Sequence, residues 1–238
     1  MSSLESTRAT LEFPKPPTTE KQASNCPETL EWLKTNIAAI YSAGREAPSP
    51  DNPPTPARSA YLAMYTTVHN FCADTRQTPK QPSKGPLTGE DLYRGLKAEI
   101  ETHCSEVRAL MLTSRNSAEA DDAREMINEY LAHWQTLTQM ASLVTRLLQP
   151  LEKEWITRCI SAKQNDVFSI KDLHTVVWKH EILEVGIDSE EATTGSQIEK
   201  AMKTLQAQGG EGTADDQDLV DTFVKSLESI RVTPGRER

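Results

Sequence analysis

The chain has 238 residues, 37% of them hydrophobic, and a formal net charge of −9. That apolar content suffices for a core but is lean, so part of the chain is expected to stay unfolded. The acidic balance and the scattered Lys and Arg exclude a general nucleic-acid binder, and no apolar run approaches the roughly 20 residues that span a bilayer.

Residues 1–26 are rich in Ser, Thr, Pro and Lys, lack the hydrophobic segment of a secretory signal, and read as a disordered head. A first helix is expected from Pro27, a residue favoured at the first helical position, to Gly44. Leu30, Leu33, Ile37, Ile40 and Tyr41 share one face, and Trp32 falls off it. Pro48, Pro50, Pro53, Pro54 and Pro56 then form a linker that excludes regular helix. The second helix, about Ala57 to Asp74, carries two stripes at 100° per residue. Tyr61, Met64, Val68 and Cys72 form one; Leu62, Tyr65, Thr66 and His69 form its neighbour. Two stripes suit either two partners or a helix buried on both sides within its own domain.

After a loop with Pro79, Pro82 and Pro86, a third helix is expected from Thr88, capped with Asp91, with Leu92, Tyr93, Leu96, Ile100, Val107 and Leu110 at helical spacing. A long heptad follows through Ile127, Tyr130, Trp134, Leu137, Ala141, Val144, Leu148, Leu151 and Trp155. Pro150 interrupts it and must kink the helix or start a new one in phase. Further helices are predicted around Ile170, Leu173, Val176, Val177 and Trp178, then around Ile198, Met202 and Leu205, then around Leu219, Val220, Phe223, Val224 and Leu227. The intervening Gly209, Gly210, Glu211 and Gly212 lack the Lys-Ser/Thr ending of a phosphate loop and read as a linker.

No constellation for chemistry emerges. The isolated cysteines at 26, 72, 104 and 159 make no zinc or redox pair, and reduced thiols in a cytoplasmic or nuclear compartment fit them. Cys72 reads as a small core residue. The histidines at 69, 103, 133, 174 and 180 form no metal motif, and adjacent His103 and Cys104 point about 100° apart on a helix. Glu119, Asp121, Asp122 and Glu125 suit a solvated helix N-terminus. The expectation is an all-α protein that is not an enzyme and needs neither cofactor nor metal.

Taken in order, these helices resemble the N-terminal region of a cullin, the scaffold of multisubunit ubiquitin ligases, over roughly Pro27 to Arg231. The matching residues are Ile40-Tyr41, Tyr61-Leu62-Ala63-Met64-Tyr65 with Val68 and Asn70, Gly89-Glu90-Asp91-Leu92-Tyr93 with Leu96-Lys97, Trp134, Leu151 with Trp155, and Ile170, Leu173 and Trp178-Lys179. The resemblance implies a five-helix cullin repeat over 27–183 and the opening helices of a second over 195–231. It also implies a non-catalytic scaffold in ubiquitin-dependent protein breakdown, whose second helix docks a Skp-type or other BTB/POZ-fold adaptor. The Tyr61 to Tyr65 segment is more like the cullin of Skp-adaptor, F-box ligases.

By position, Leu62, Tyr65, Thr66 and His69 fall at the adaptor surface, with Ser59 at its edge and Pro150 and Lys153 on the neighbouring helix. Pro150 stands where the family usually has an aromatic, Lys153 where Arg is common, and His69 where Tyr is frequent. Lost anchors of this kind cost a few kcal/mol, about 100-fold in affinity. Nothing resembles the RING-box-binding and neddylation region, so a RING-box subunit is not expected to bind. The alternative is a degenerate helical-repeat protein that has lost adaptor binding and holds another protein through its acidic faces.

Overall fold

The computed structural model describes residues 10–23, 26–46, 55–73, 87–113, 120–185, 193–208 and 214–231. Helix α1 (Thr19–Ala23) is a short element. Pro27 opens α2 (Pro27–Glu46), where its missing N–H costs nothing. Leu33, Ile37, Ile40 and Tyr41 are buried as the stripe predicts, and Leu30 packs against them. The helix does not stop at Gly44: a Cβ there would lie 2.3 Å from the Met140 sulfur, so this glycine permits a close helix approach.

Helix α3 (Arg58–Ala73) follows, and α4 (Gly89–Thr113) starts at the predicted cap, with the Thr88 N–H donating to Asp91 Oδ2 at 2.7 Å. Along α4 the inner positions are Leu92, Leu96, Ile100, Cys104, Val107 and Met111, whereas Leu110, expected among them, is exposed. Helix α5 (Ala120–Leu147) buries the heptad through Val144, and Leu148 and Leu151 continue it beyond the helix end.

Pro150 starts a new helix in phase. The Leu148 N–H still donates to the Val144 carbonyl, but Leu148 then leaves helical geometry at φ −97°, ψ 20°. Pro150 occupies the first turn of α6 (Gln149–Leu151), where an N–H has no intrahelical partner to lose. A π-helical turn, Glu152–Ile156, and α7 (Thr157–Ser161) complete the rod. The π turn places Glu152 Oε2 3.0 Å from the Ile170 N–H, so Glu152 helps Ser169 cap α8 (Ile170–Trp178). A second π turn, Lys179–Glu184, is tied to α4 by Arg108, which donates to the Glu181 carboxylate at 2.6 Å and to its carbonyl at 2.9 Å.

Helices α9 (Thr194–Gln208) and α10 (Ala214–Arg231) pack on α5, and Phe223 meets Tyr130 edge-on at 5.1 Å between ring centres. Ile198, Ala201, Leu205, Val220, Phe223 and Ile230 join the core of the preceding helices. The fold is all-α, a helical repeat bundle. The glycine-rich stretch 209–212 lies outside the described residues.

The disordered head is corrected for residues 10–23. A two-residue strand β1 (Thr10–Leu11) pairs in parallel with β2 (Thr55–Pro56), and α1 packs on α3. Leu11 and Phe13 pack against the core, and the Pro14 carbonyl accepts the Trp32 indole N–H at 3.1 Å. Trp32 is therefore buried although it lies off the α2 stripe. Backbone carbonyls, two apolar side chains and the Gln22–Asn70 side-chain hydrogen bond hold a polar segment whose composition supplies little core.

Gly195 offers a test of the packing of α9. A Cβ there would sit 2.3 Å from the Leu183 carbonyl oxygen, which is backbone and cannot swing aside. Gly195→Ala should destabilise the protein by about 1–3 kcal/mol despite alanine's better helix propensity. Urea denaturation should show a lower midpoint with an unchanged slope.

Candidate functional site

Helix α3 buries one face and exposes the other. Ala60, Met64, Thr67, Val68, Phe71 and Cys72 point inward, and burial of Cys72 pushes its thiol up to about 12, with nearby Glu154 adding to the rise. Such a thiol is packing, not a nucleophile. Outward, Leu62 is 53% exposed, Ser59, Thr66 and His69 are exposed, and Tyr65 is half-buried. A leucine this open on a helix whose other side is in the core marks a face available to a partner.

The two stripes separated by periodicity are thus distinct surfaces. Tyr61 is only partly buried, while Ala60, Thr67 and Phe71 complete the inner face. Next to α3 lies the Pro150 turn: the Tyr65 hydroxyl is 3.5 Å from Gln149 Oε1, and α3 packs on α6 and the first π turn. Lys153 is exposed on that turn, but Pro150 is buried. Pro150 therefore supports the face from below and presents little surface to a partner, a correction to its place among the contact residues.

The face carries little negative charge. Helix α3 contains no carboxylate, in a chain with 35 Asp and Glu residues. The two glutamates flanking Lys153 are engaged elsewhere, Glu152 with the Ile170 N–H and Glu154 with Arg158 at 3.0 Å. What remains is an apolar anchor, an aromatic hydroxyl, small hydroxyls, an imidazole and a lysine, suited to contact with another protein.

The cullin alpha solenoid domain matches residues 31–235 of this sequence. The chain belongs to the cullin family. It is 28% identical over 130 residues to Cullin-1 of Dictyostelium discoideum, covering 51% of this chain and 16% of that protein. With Cullin-1 of Schizosaccharomyces pombe (strain 972 / ATCC 24843) it shares 24% identity over 158 residues, 65% of this chain and 19% of that protein. With Cullin-1 of Caenorhabditis elegans the identity is 17% over 178 residues, 68% of this chain and 21% of that protein. The chain thus spans about a fifth of the length of these curated relatives. No solved structure matches it significantly.

In this cullin-family chain the structure brings Ser59, Leu62, Tyr65, Thr66 and His69 onto one face and sets the Lys153 turn beside α3. Gln149, which borders that face, was not singled out from the sequence, and Asn70 was named there only as a matching residue, with no contact assigned to it. Asn70 Nδ2 donates to Gln22 Oε1 at 2.8 Å, a contact across 48 residues that no local pattern encodes. Among the described residues no group of His, Cys, Asp and Glu could hold a metal ion, and no helix is long and apolar enough to cross a membrane.

Proposed function

We propose that this chain is a non-catalytic cullin scaffold module that docks a Skp-type or other BTB/POZ-fold adaptor through the outer face of α3, in ubiquitin-dependent protein breakdown. The observation that carries the reading is the exposed stripe of Leu62, Tyr65, Thr66 and His69 on a helix whose opposite face is core. Leu62 is the apolar anchor, Tyr65 the aromatic contact, and Ser59, Thr66 and His69 the polar rim. Lys153 contributes a point charge rather than the planar fork of an arginine. Residues 27–183 are read as one repeat and α9–α10 as the opening of the next.

The test is titration calorimetry against a Skp-type adaptor, with Leu62→Asp, Tyr65→Ala as control. Both side chains lie on the outer face, so the double variant should keep the wild-type helical circular dichroism. The expected result is a Kd below about 1 μM, weakened at least about 100-fold in the variant. Undiminished binding by the variant would move the site elsewhere. No binding by folded wild-type protein would favour a degenerate repeat that holds another partner, a reading to which buried Pro150 in place of an exposed aromatic lends weight.

A further inference from the structure

Residues 10–23 run along one flank of α3 and are fastened to it near both ends. Ahead of the helix, the Ala57 N–H donates to the Leu11 carbonyl at 2.9 Å, beside the β1–β2 pairing. Towards its far end, Asn70 Nδ2 donates to Gln22 Oε1 at 2.8 Å. Gln22 is itself fixed: it is 5% exposed, and its Nε2 donates to the Pro17 carbonyl at 2.6 Å. Between Ala57 and Asn70 the helix rises about 20 Å. The two fastenings therefore bracket the exposed stripe, and between them the Pro14 carbonyl holds the segment to Trp32 of α2.

The helical wheel shows which flank it takes. At 100° per residue, Ala63 and Asn70 lie to one side of the line through Leu62 and Thr66, and Tyr61, Tyr65 and Cys72 lie to the other. The latter side faces the Pro150 turn, where Tyr65 meets Gln149, and the former side meets the N-terminal segment through Asn70. The binding face is thus held from both flanks. On one side the brace is continuous with the rod of α5; on the other it is a polar segment that supplies few core side chains.

We propose that residues 10–23 act as a clamp that holds α3 in its binding orientation, and that Gln22 and Asn70 are positioning residues that set adaptor affinity without touching the adaptor. This rests on α3 being the adaptor face. Without the clamp, α3 samples orientations that do not bind, and apparent affinity falls by the fraction of molecules still competent. A loss of that kind appears in the association rate, because the complex once formed is unchanged.

The experiment uses the full chain with Gln22→Leu, which orphans Asn70 while preserving bulk, and a chain lacking residues 1–23. Adaptor association and dissociation are measured by surface plasmon resonance, and amide hydrogen exchange of α3 is followed without adaptor. The expected result is an association rate lowered about tenfold with dissociation within twofold, and α3 amides exchanging at least tenfold faster while those of α4 hold. Gln22→Leu with Asn70→Leu, which leaves no orphaned amide, should recover most of the association rate. A faster dissociation rate would make the segment a direct contact and overturn the clamp. Unchanged association with a lowered melting temperature would make it a purely structural brace and overturn it too. If wild-type protein does not bind the adaptor, exchange alone decides: unaltered α3 protection in Gln22→Leu refutes the clamp whatever the partner.

Discussion

Trp178→Ala should lower the unfolding free energy by about 3–5 kcal/mol, a large share of the 5–15 kcal/mol that a domain possesses. Trp178 is fully buried at the end of α8, and its ring lies 5.7 Å from both Tyr130 and Trp134 of α5. Its indole N–H is 3.5 Å from the Tyr130 hydroxyl. Tyr130 in turn meets Phe223, so one tryptophan underlies the seam where α8, α5 and α10 converge. Removing it leaves a cavity that rigid helices cannot close, and it loses aromatic contacts worth about 0.5–1.5 kcal/mol each. Trp178→Phe keeps much of the volume and should cost less than half as much. Urea denaturation followed by circular dichroism measures both; equal, small losses would mean that the seam repacks.

The heptad from Ile127 to Leu151 and the inner stripes of α2 and α4 were legible because local periodicity records which side of a helix meets the core. So was the split of α3 into two surfaces, since Leu62 and Met64 differ by about 200° on the wheel. What could not be read depends on partners distant in sequence. Trp32 looks misplaced until the Pro14 carbonyl accepts its indole N–H, and residues 10–23 look unfoldable until Leu11 and Gln22 find Ala57 and Asn70. Leu110 illustrates the opposite limit: positions 110 and 111 both follow Val107 at helical spacing, and only tertiary packing chose Met111 for the interior. Pro150 was legible as an interruption but not as buried, because its surroundings are set by α3 and the π turn that follows.

Mild acid should destabilise this protein well before its carboxylates titrate. His174 is buried between Ile170 and Tyr41. Its Nδ1 lies 2.6 Å from the Ile170 carbonyl, which can only accept, so Nδ1 carries the proton. Nε2 is then the acceptor for the Tyr41 hydroxyl at 2.5 Å. A second proton on Nε2 would force the Tyr41 hydroxyl to turn its own proton away and would place a charge in the buried core. Burial accordingly lowers His174 to about 4, against the backbone hydrogen bond that favours its charged form. His103, with its ring centre 5.4 Å from that of Tyr41, is lowered to about 3 by burial first and then by Arg45, His133 and His174. Its Nδ1 has no hydrogen-bond partner among the described residues.

Both imidazoles stay neutral in the folded chain while the unfolded chain protonates them near pH 6.5, so the unfolded state binds more protons and stability falls as pH drops. The loss begins near 6.5 and is complete only below about 3 to 4. For His174 alone it amounts to about 3 kcal/mol at about 1.4 kcal/mol per pH unit. Glu99 and Glu152, which burial holds above the usual carboxylate range, act in the opposite sense. Their stabilising effect sets in as pH falls through their raised folded-state values and is complete once an ordinary glutamate protonates, so it offsets part of the histidine loss, while the larger shifts of the two imidazoles set the sign of the acid limb. Urea midpoints between pH 7.5 and 5.5 should therefore fall steadily. His103→Leu removes a ring with one unpartnered nitrogen, so it should cost little at pH 7.5 and flatten the slope. A wild-type protein equally stable at both ends of that range would show that neither imidazole is held neutral.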